Sequence, residues 1–145
     1  MDNAEDRFGL QRFVAAQDAV IEQVLRELAA GAKQTHWMWF IFPQLKGLGS
    51  SAMAQRYAIG SIREALAYLA HPILGPRLRQ CTRLVNAVNG HSAREILGSP
   101  DDLKFRSSMT LFHKAAPDMP DFAEALAKYF RGAGDPVTIQ KLQAP

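Results

Sequence analysis

Apolar residues recur at Leu10, Phe13, Val14, Ile21, Val24, Leu25 and Leu28. This is the period of one amphipathic helix, closing near Gly31. Gln17 breaks the stripe, standing where an apolar residue belongs. The segment HWMWFIFPQLKGLGSS then changes the pattern. From Trp37 to Phe42 it is apolar on every side, which fits a buried helical turn or a short buried strand equally well. Pro43 ends it, and LKGLGSS reads as a loop leading into a helix.

Helical stripes resume further along the chain. Ser61 and Glu64 have the capping-box spacing, and Ile62, Ala65, Leu66 and Leu69 follow as one face. His71-Pro72 stops that helix. Leu74, Leu78, Cys81, Leu84, Val85 and Val88 form the next stripe, which ends around Asn89-Gly90. Ser92 and Glu95 repeat the capping box for a short helix closing at Gly98. Pro100 at a first helical position, followed by Asp101 and Asp102, opens a helix that buries Phe105, Met109, Phe112 and Ala116. Phe122, Leu126, Tyr129 and Phe130 make another stripe, stopped by Gly132 and Gly134, and Asp135-Pro136 caps a last short helix. The pattern predicts an all-α protein, a single compact domain over residues 1–145 with about seven short helices.

Composition narrows the class. At 145 residues with 48% apolar and 21% charged residues, the chain is an ordinary globular one, long enough for its own core. The net charge of +3 comes from scattered lysines and arginines without a basic run, which speaks against a nucleic-acid partner. The apolar run at Trp37–Phe42 is far shorter than the ~20 residues of a membrane span. The N-terminal MDNAEDRFG lacks the cationic and apolar regions of a signal peptide, and one cysteine, Cys81, makes no internal disulfide. The expected compartment is the cytoplasm.

No metalloprotease, nucleophile-elbow or phosphate-loop signature occurs, and the four histidines, His36, His71, His91 and His113, have no local ligand spacing. Neither a metal nor a cofactor is expected. What remains is a set of candidate binding residues. In the aromatic segment, His36 and Gln44 put polar groups at both ends of a wall, Trp37 or Trp39, that suits stacking against a ring. Lys46 with Gly49 and Ser50 reads either as a helix-entry turn or as a loop offering N–H groups and a cation to a phosphate. Lys104, Ser107, Ser108 and Thr110 are polar residues in mid-helix, where serine and threonine compete for the backbone. They form either a solvated flank with back-bonded hydroxyls or a strip that hydrogen-bonds a ligand. Gln17 completes the set, with an internal hydrogen bond as its plainer role.

HWMWFIFPQLKGLGSS, LAHPILGPRL and DDLKFRSSMTLF together resemble a family of small bacterial and fungal proteins of unknown function, some labelled "calpastatin". The resemblance covers residues 12–142 and implies a compact all-helical domain without supplying catalytic residues. Its hallmark words fall at Gln17, His36 to Gln44, Gly47 to Ser51, Lys104, and Ser107 to Phe112. The order of elements from Ser51 through Met109 to the GDPVT turn is also similar to helical N-glycoside hydrolases acting on riboflavin precursors or ADP-ribose adducts. Hydrolysis of that kind needs a carboxylate. His36 and Asp102 are the catalytic candidates. The resulting expectation is a polar-aromatic pocket that binds or hydrolyses a small nucleotide-like or phosphorylated molecule. The alternative is a protein-interaction module without chemistry.

Overall fold

The computed structural model describes residues 6–143. The first five residues of the stretch read for a signal peptide lie outside it. Among the described residues ten helices follow one another: α1 (Gln11–Asp18), α2 (Ile21–Ala29), α3 (Met38–Ile41), α4 (Ala52–Arg56), α5 (Ile62–Ala70), α6 (Leu74–Ala87), α7 (Ala93–Leu97), α8 (Asp101–Ala115), α9 (Pro120–Phe130) and α10 (Pro136–Gln143). The all-α prediction holds. The one β-type pairing among the described residues is an isolated parallel bridge between Leu45 and Ile59.

The predicted count of about seven is too low for two reasons. The first stripe is two helices, because the chain departs from helical geometry at Val20 (φ −132°, ψ −3°). The apolar spacing from Leu10 to Leu28 runs through this break without interruption, so periodicity does not register it. In addition, the aromatic run and the segment after the glycine loop each wind into a short helix, of 4 and 5 residues.

α8 is the central element, packed by α5, α7, α9 and α10. Phe105, Ser107, Ser108, Met109, Thr110, Leu111 and Phe112 are therefore all buried. The hydroxyls of the expected solvated flank are interior, and of that set only Lys104 keeps a part-exposed side chain. The back-bonding is present: the Ser107 hydroxyl donates to the Leu103 carbonyl at 3.2 Å and that of Thr110 to the Arg106 carbonyl at 2.7 Å. A helix packed by four neighbours needs small side chains where they come close, and i−4 bonding satisfies the Ser107 and Thr110 hydroxyls within the helix itself. Pro100 is the N-cap of α8, one position earlier than expected.

The core is tied together by aromatic pairs. Phe42 meets Phe105 edge-on at 4.9 Å, and Tyr68 links Phe13 (5.1 Å) to Phe112 (5.4 Å). Trp37 is wholly buried, and its indole N–H donates to Glu27 Oε1 at 3.0 Å. That carboxylate also accepts from the backbone N–H groups of Gln34 and Thr35, the Thr35 hydroxyl and the Gln23 amide. Burial alone would raise the Glu27 pKa, but these bonds together hold it at about 2, well below the usual 4.5. Burial pushes the lone thiol, Cys81, up to about 12, the behaviour of a packing residue rather than a nucleophile. Among the described residues no helix is long and apolar enough to cross a membrane.

The capping-box spacings resolve differently. Ser92 and Glu95 form the reciprocal pair. Ser61 accepts from Glu64 N, but the Glu64 side chain turns instead to Gly60 N (2.9 Å) and Arg12 (3.0 Å).

Candidate functional site

The loop following Pro43 is fixed by backbone bonds and by two glycines. Ile59 N donates to the Gln44 carbonyl at 3.0 Å, and Lys46 N to the Ile59 carbonyl at 2.8 Å. Gly47 then adopts φ +92°, a conformation that glycine takes without strain. The chain turns there, and Lys46 and Leu48 line different concavities. At Gly49 a Cβ would lie 2.6 Å from Ala54 Cβ, so glycine is required by the close approach of α4. Ser51 caps α4 through a bond from Ala54 N at 3.1 Å. The KGLGSS segment is thus a built turn, with its glycines committed to backbone shape and packing.

One side of this turn faces a groove of about 510 Å³. Gln44, Gly47, Leu48 and Gly49 form one wall. Leu103, Lys104, Arg106 and Ser107 of α8, preceded by Pro100, form the second. Asp135 and Val137 at the start of α10 close the third. A smaller enclosed slot adjoins it, sharing Gln44 and Lys104 and adding Trp39, Met38, Phe42 and Tyr57. The Lys104 ammonium stands 5.9 Å from the centre of the half-buried Trp39 ring and 3.9 Å from Asp101. Asp101 is pulled the other way by Lys33 at 2.9 Å, so Lys104 is only loosely held.

The remaining wall residues are anchored. Arg106 donates to the Ala133 and Gly134 carbonyls, at 3.0 and 3.1 Å, which fixes the turn before α10. Asp135 caps α10: its Oδ2 accepts from Thr138 N (3.0 Å) and Oγ1 (2.6 Å). Asp135 N in turn donates to Thr110 Oγ1 at 2.9 Å. Leu103 and Val137 are 55% and 48% exposed, two of the four large apolar side chains left open among the described residues. Both line the groove.

The structure gathers some of the sequence candidates and disperses others. Gln44, Gly49, Lys104 and Ser107 meet in the groove, and Trp39 lies in the adjoining slot. Lys46 faces the opposite side of the turn. Ser50 is exposed, and its carbonyl accepts from the Gln55 amide. Ser108 is fully buried with no partner for its hydroxyl, and Thr110 is tied to the Asp135 turn. Gln17 is buried, donating to the Phe40 carbonyl at 2.7 Å and to Tyr68 Oη at 3.0 Å. Trp37 offers no open face, for the reason given above. Of the catalytic candidates, His36 is exposed beyond the groove, and Asp102, with Oδ1 buried and unpartnered, lies outside its lining. Among the described residues no three His, Cys, Asp or Glu side chains cluster as metal ligands would.

Sequence reasoning missed Leu48, Leu103, Arg106 and Val137. Leu103 carried a signal, being a leucine off the Phe105–Met109–Phe112 stripe and therefore pointing away from the core.

Comparison with known proteins fits this picture of a defined fold around an unassigned groove. A family described as a protein of unknown function, DUF1810, matches residues 7–142. The chain belongs to that family. The DUF1810 fold of this chain is similar to the crystal structure of the conserved hypothetical protein Rv1873 from Mycobacterium tuberculosis, with a TM-score of 0.94 and 56% identity over 95% of this chain and 99% of that one. No curated protein matches. All the groove-lining residues fall within the part of the chain that the DUF1810 family covers.

Proposed function

We propose that the groove binds a small anionic molecule with a flat ring, of the nucleotide-like or phosphorylated class. The observation that carries this reading is convergence. Gln44 and Lys104, sixty positions apart in sequence, meet in one concavity with two otherwise unexplained exposed apolar side chains. Leu103 and Val137 supply apolar faces for a ring, Lys104 a cation with only a weak internal partner, and Gln44 an amide able both to donate and to accept. The volume of about 510 Å³ suits a molecule of nucleotide size. Hydrolysis, if the groove performs it, would draw on Asp135, the carboxylate on its wall. One Asp135 oxygen is committed to capping α10, so binding is the stronger part of the reading.

A thermal-shift screen against nucleotides and ADP-ribose tests it. A ligand at 100 times its Kd adds about 2.7 kcal/mol, a Tm rise of about 5 °C or more at this chain length. Lys104→Ala should abolish the shift while leaving the unliganded Tm within about 2 °C, since Lys104 holds only a weak surface ion pair. No shift with any of these ligands at millimolar concentration would sink the proposal, as would an undiminished shift in the variant.

A further inference from the structure

The other side of the Gln44–Gly49 turn holds a second concavity, of about 600 Å³. Among the described residues its charged lining is Lys46, Arg63 and Lys141, with no acidic side chain. The three cations come from three separate parts of the chain: the bridge at Leu45, the first turn of α5 and the last turn of α10. Among the described residues none of them has a carboxylate within ion-pair distance, whereas Arg12, Lys33, Arg77, Arg79 and Arg83 each reach one on another element. Glu64 lies behind the lining, with Oε1 3.3 Å from where a Gly60 Cβ would stand. Its charge is already engaged by Arg12 at 3.0 Å and by Gly60 N at 2.9 Å.

Like charges brought to one hollow repel, and the fold places no carboxylate among the described lining residues to offset them. Here it also leaves room for the third: a Cβ on Gly47 would stand 3.1 Å from Lys141 Nζ, so the glycine lets the ammonium lean on the turn. We infer that this cleft is an anion site, distinct from the groove and sharing no lining residue with it, which takes a multiply charged phosphate group of a small molecule. A hollow of this kind suits a compact polyanion. An extended nucleic-acid backbone would call for a basic stripe, whereas along this chain the lysines and arginines are scattered without a basic run.

The test is calorimetric titration of inorganic pyrophosphate into the full chain at low ionic strength, where the Debye length is about 30 Å. Saturable one-to-one binding is expected. Lys46→Gln, Arg63→Gln and Lys141→Gln should each weaken it by about fivefold or more, with unchanged Tm because all three side chains are exposed. Two controls decide between site and net charge. Arg94→Gln removes an exposed cation on α7, and Lys104→Ala removes the cation of the groove; both should leave the affinity within about twofold. The inference is overturned by absence of saturable binding, by equal weakening in Arg94→Gln, or by loss in Lys104→Ala, which would place the ion in the groove. It is also overturned if single-stranded oligonucleotides displace pyrophosphate with an affinity that rises with their length.

Discussion

Glu27→Ala is expected to lower the unfolding free energy by about 3–5 kcal/mol, the range for removing one member of a buried charged network. Glu27 is 4% exposed and accepts hydrogen bonds from five donors, one of them the indole of Trp37, the largest fully buried side chain. Alanine strands the wholly buried Trp37 indole N–H without a partner and unties the Gln34–Thr35 backbone that the carboxylate holds in place. Glu27→Gln is the sharper variant, because its shape is kept while one oxygen becomes an amide that faces donors. The carboxylate also makes a pH prediction. Its folded pKa is depressed from 4.5 to about 2, so its contribution is present above the unfolded value and is lost as pH falls through the folded one. A depression of that size corresponds to about 3 kcal/mol at neutral pH, disappearing between about pH 5 and pH 2. Urea unfolding as a function of pH checks both statements. The wild-type curve should fall through this window, and that of Glu27→Gln should be lower at neutral pH and correspondingly flatter. Parallel curves would mean that Glu27 is not the charge the fold depends on.

Gly75→Ala should cost about 3 kcal/mol, against the usual expectation for such a change. In a helix, alanine in place of glycine ordinarily gains about 0.5–1 kcal/mol by restricting the unfolded chain. At Gly75, however, a Cβ would lie 2.1 Å from the Leu69 carbonyl oxygen, at the point where α5 hands over to α6. That atom is backbone and cannot swing aside as a side chain would. The strain has to be relieved by moving α5 against α6, both of which pack on other core elements, and overpacking of this kind typically costs 1–3 kcal/mol or somewhat more. Here the steric cost outweighs the propensity gain. A variant as stable as wild type in urea would show that the α5–α6 turn yields.

These two residues mark where the sequence was readable and where it was not. The stripes of α5, α6 and α9 were legible because each helix has a solvent face opposite its core face. α8 has little of one, so its hydroxyls looked like surface when they are interior. Glu27 sits between Val24 and Leu28 on an amphipathic helix and reads as an ordinary charged position; nothing local says that a loop seven to ten residues later folds back to donate to it. The centre of the aromatic segment was legible as buried, and Trp37, Phe40 and Phe42 are so, whereas its two ends part company. Gln44 and the glycine turn do meet Lys104 and Ser107, whereas His36, at the other end, does not join them. Lys46 and Lys104 were both natural phosphate candidates from sequence. Their separation into two concavities depends on the reversal at Gly47, which is a backbone event without a pattern of its own.

The central claim is that the groove between the Gln44–Gly49 turn, α8 and the start of α10 is a ligand site. Its most direct test is an NMR titration of the isotope-labelled protein with ADP-ribose. The account predicts saturable shifts at the Gln44 side-chain amide and at the backbone amides of Gly47, Gly49, Lys104 and Ser107, with His36 and His91 unmoved. Changes scattered over the surface, or none at millimolar ligand, would contradict it.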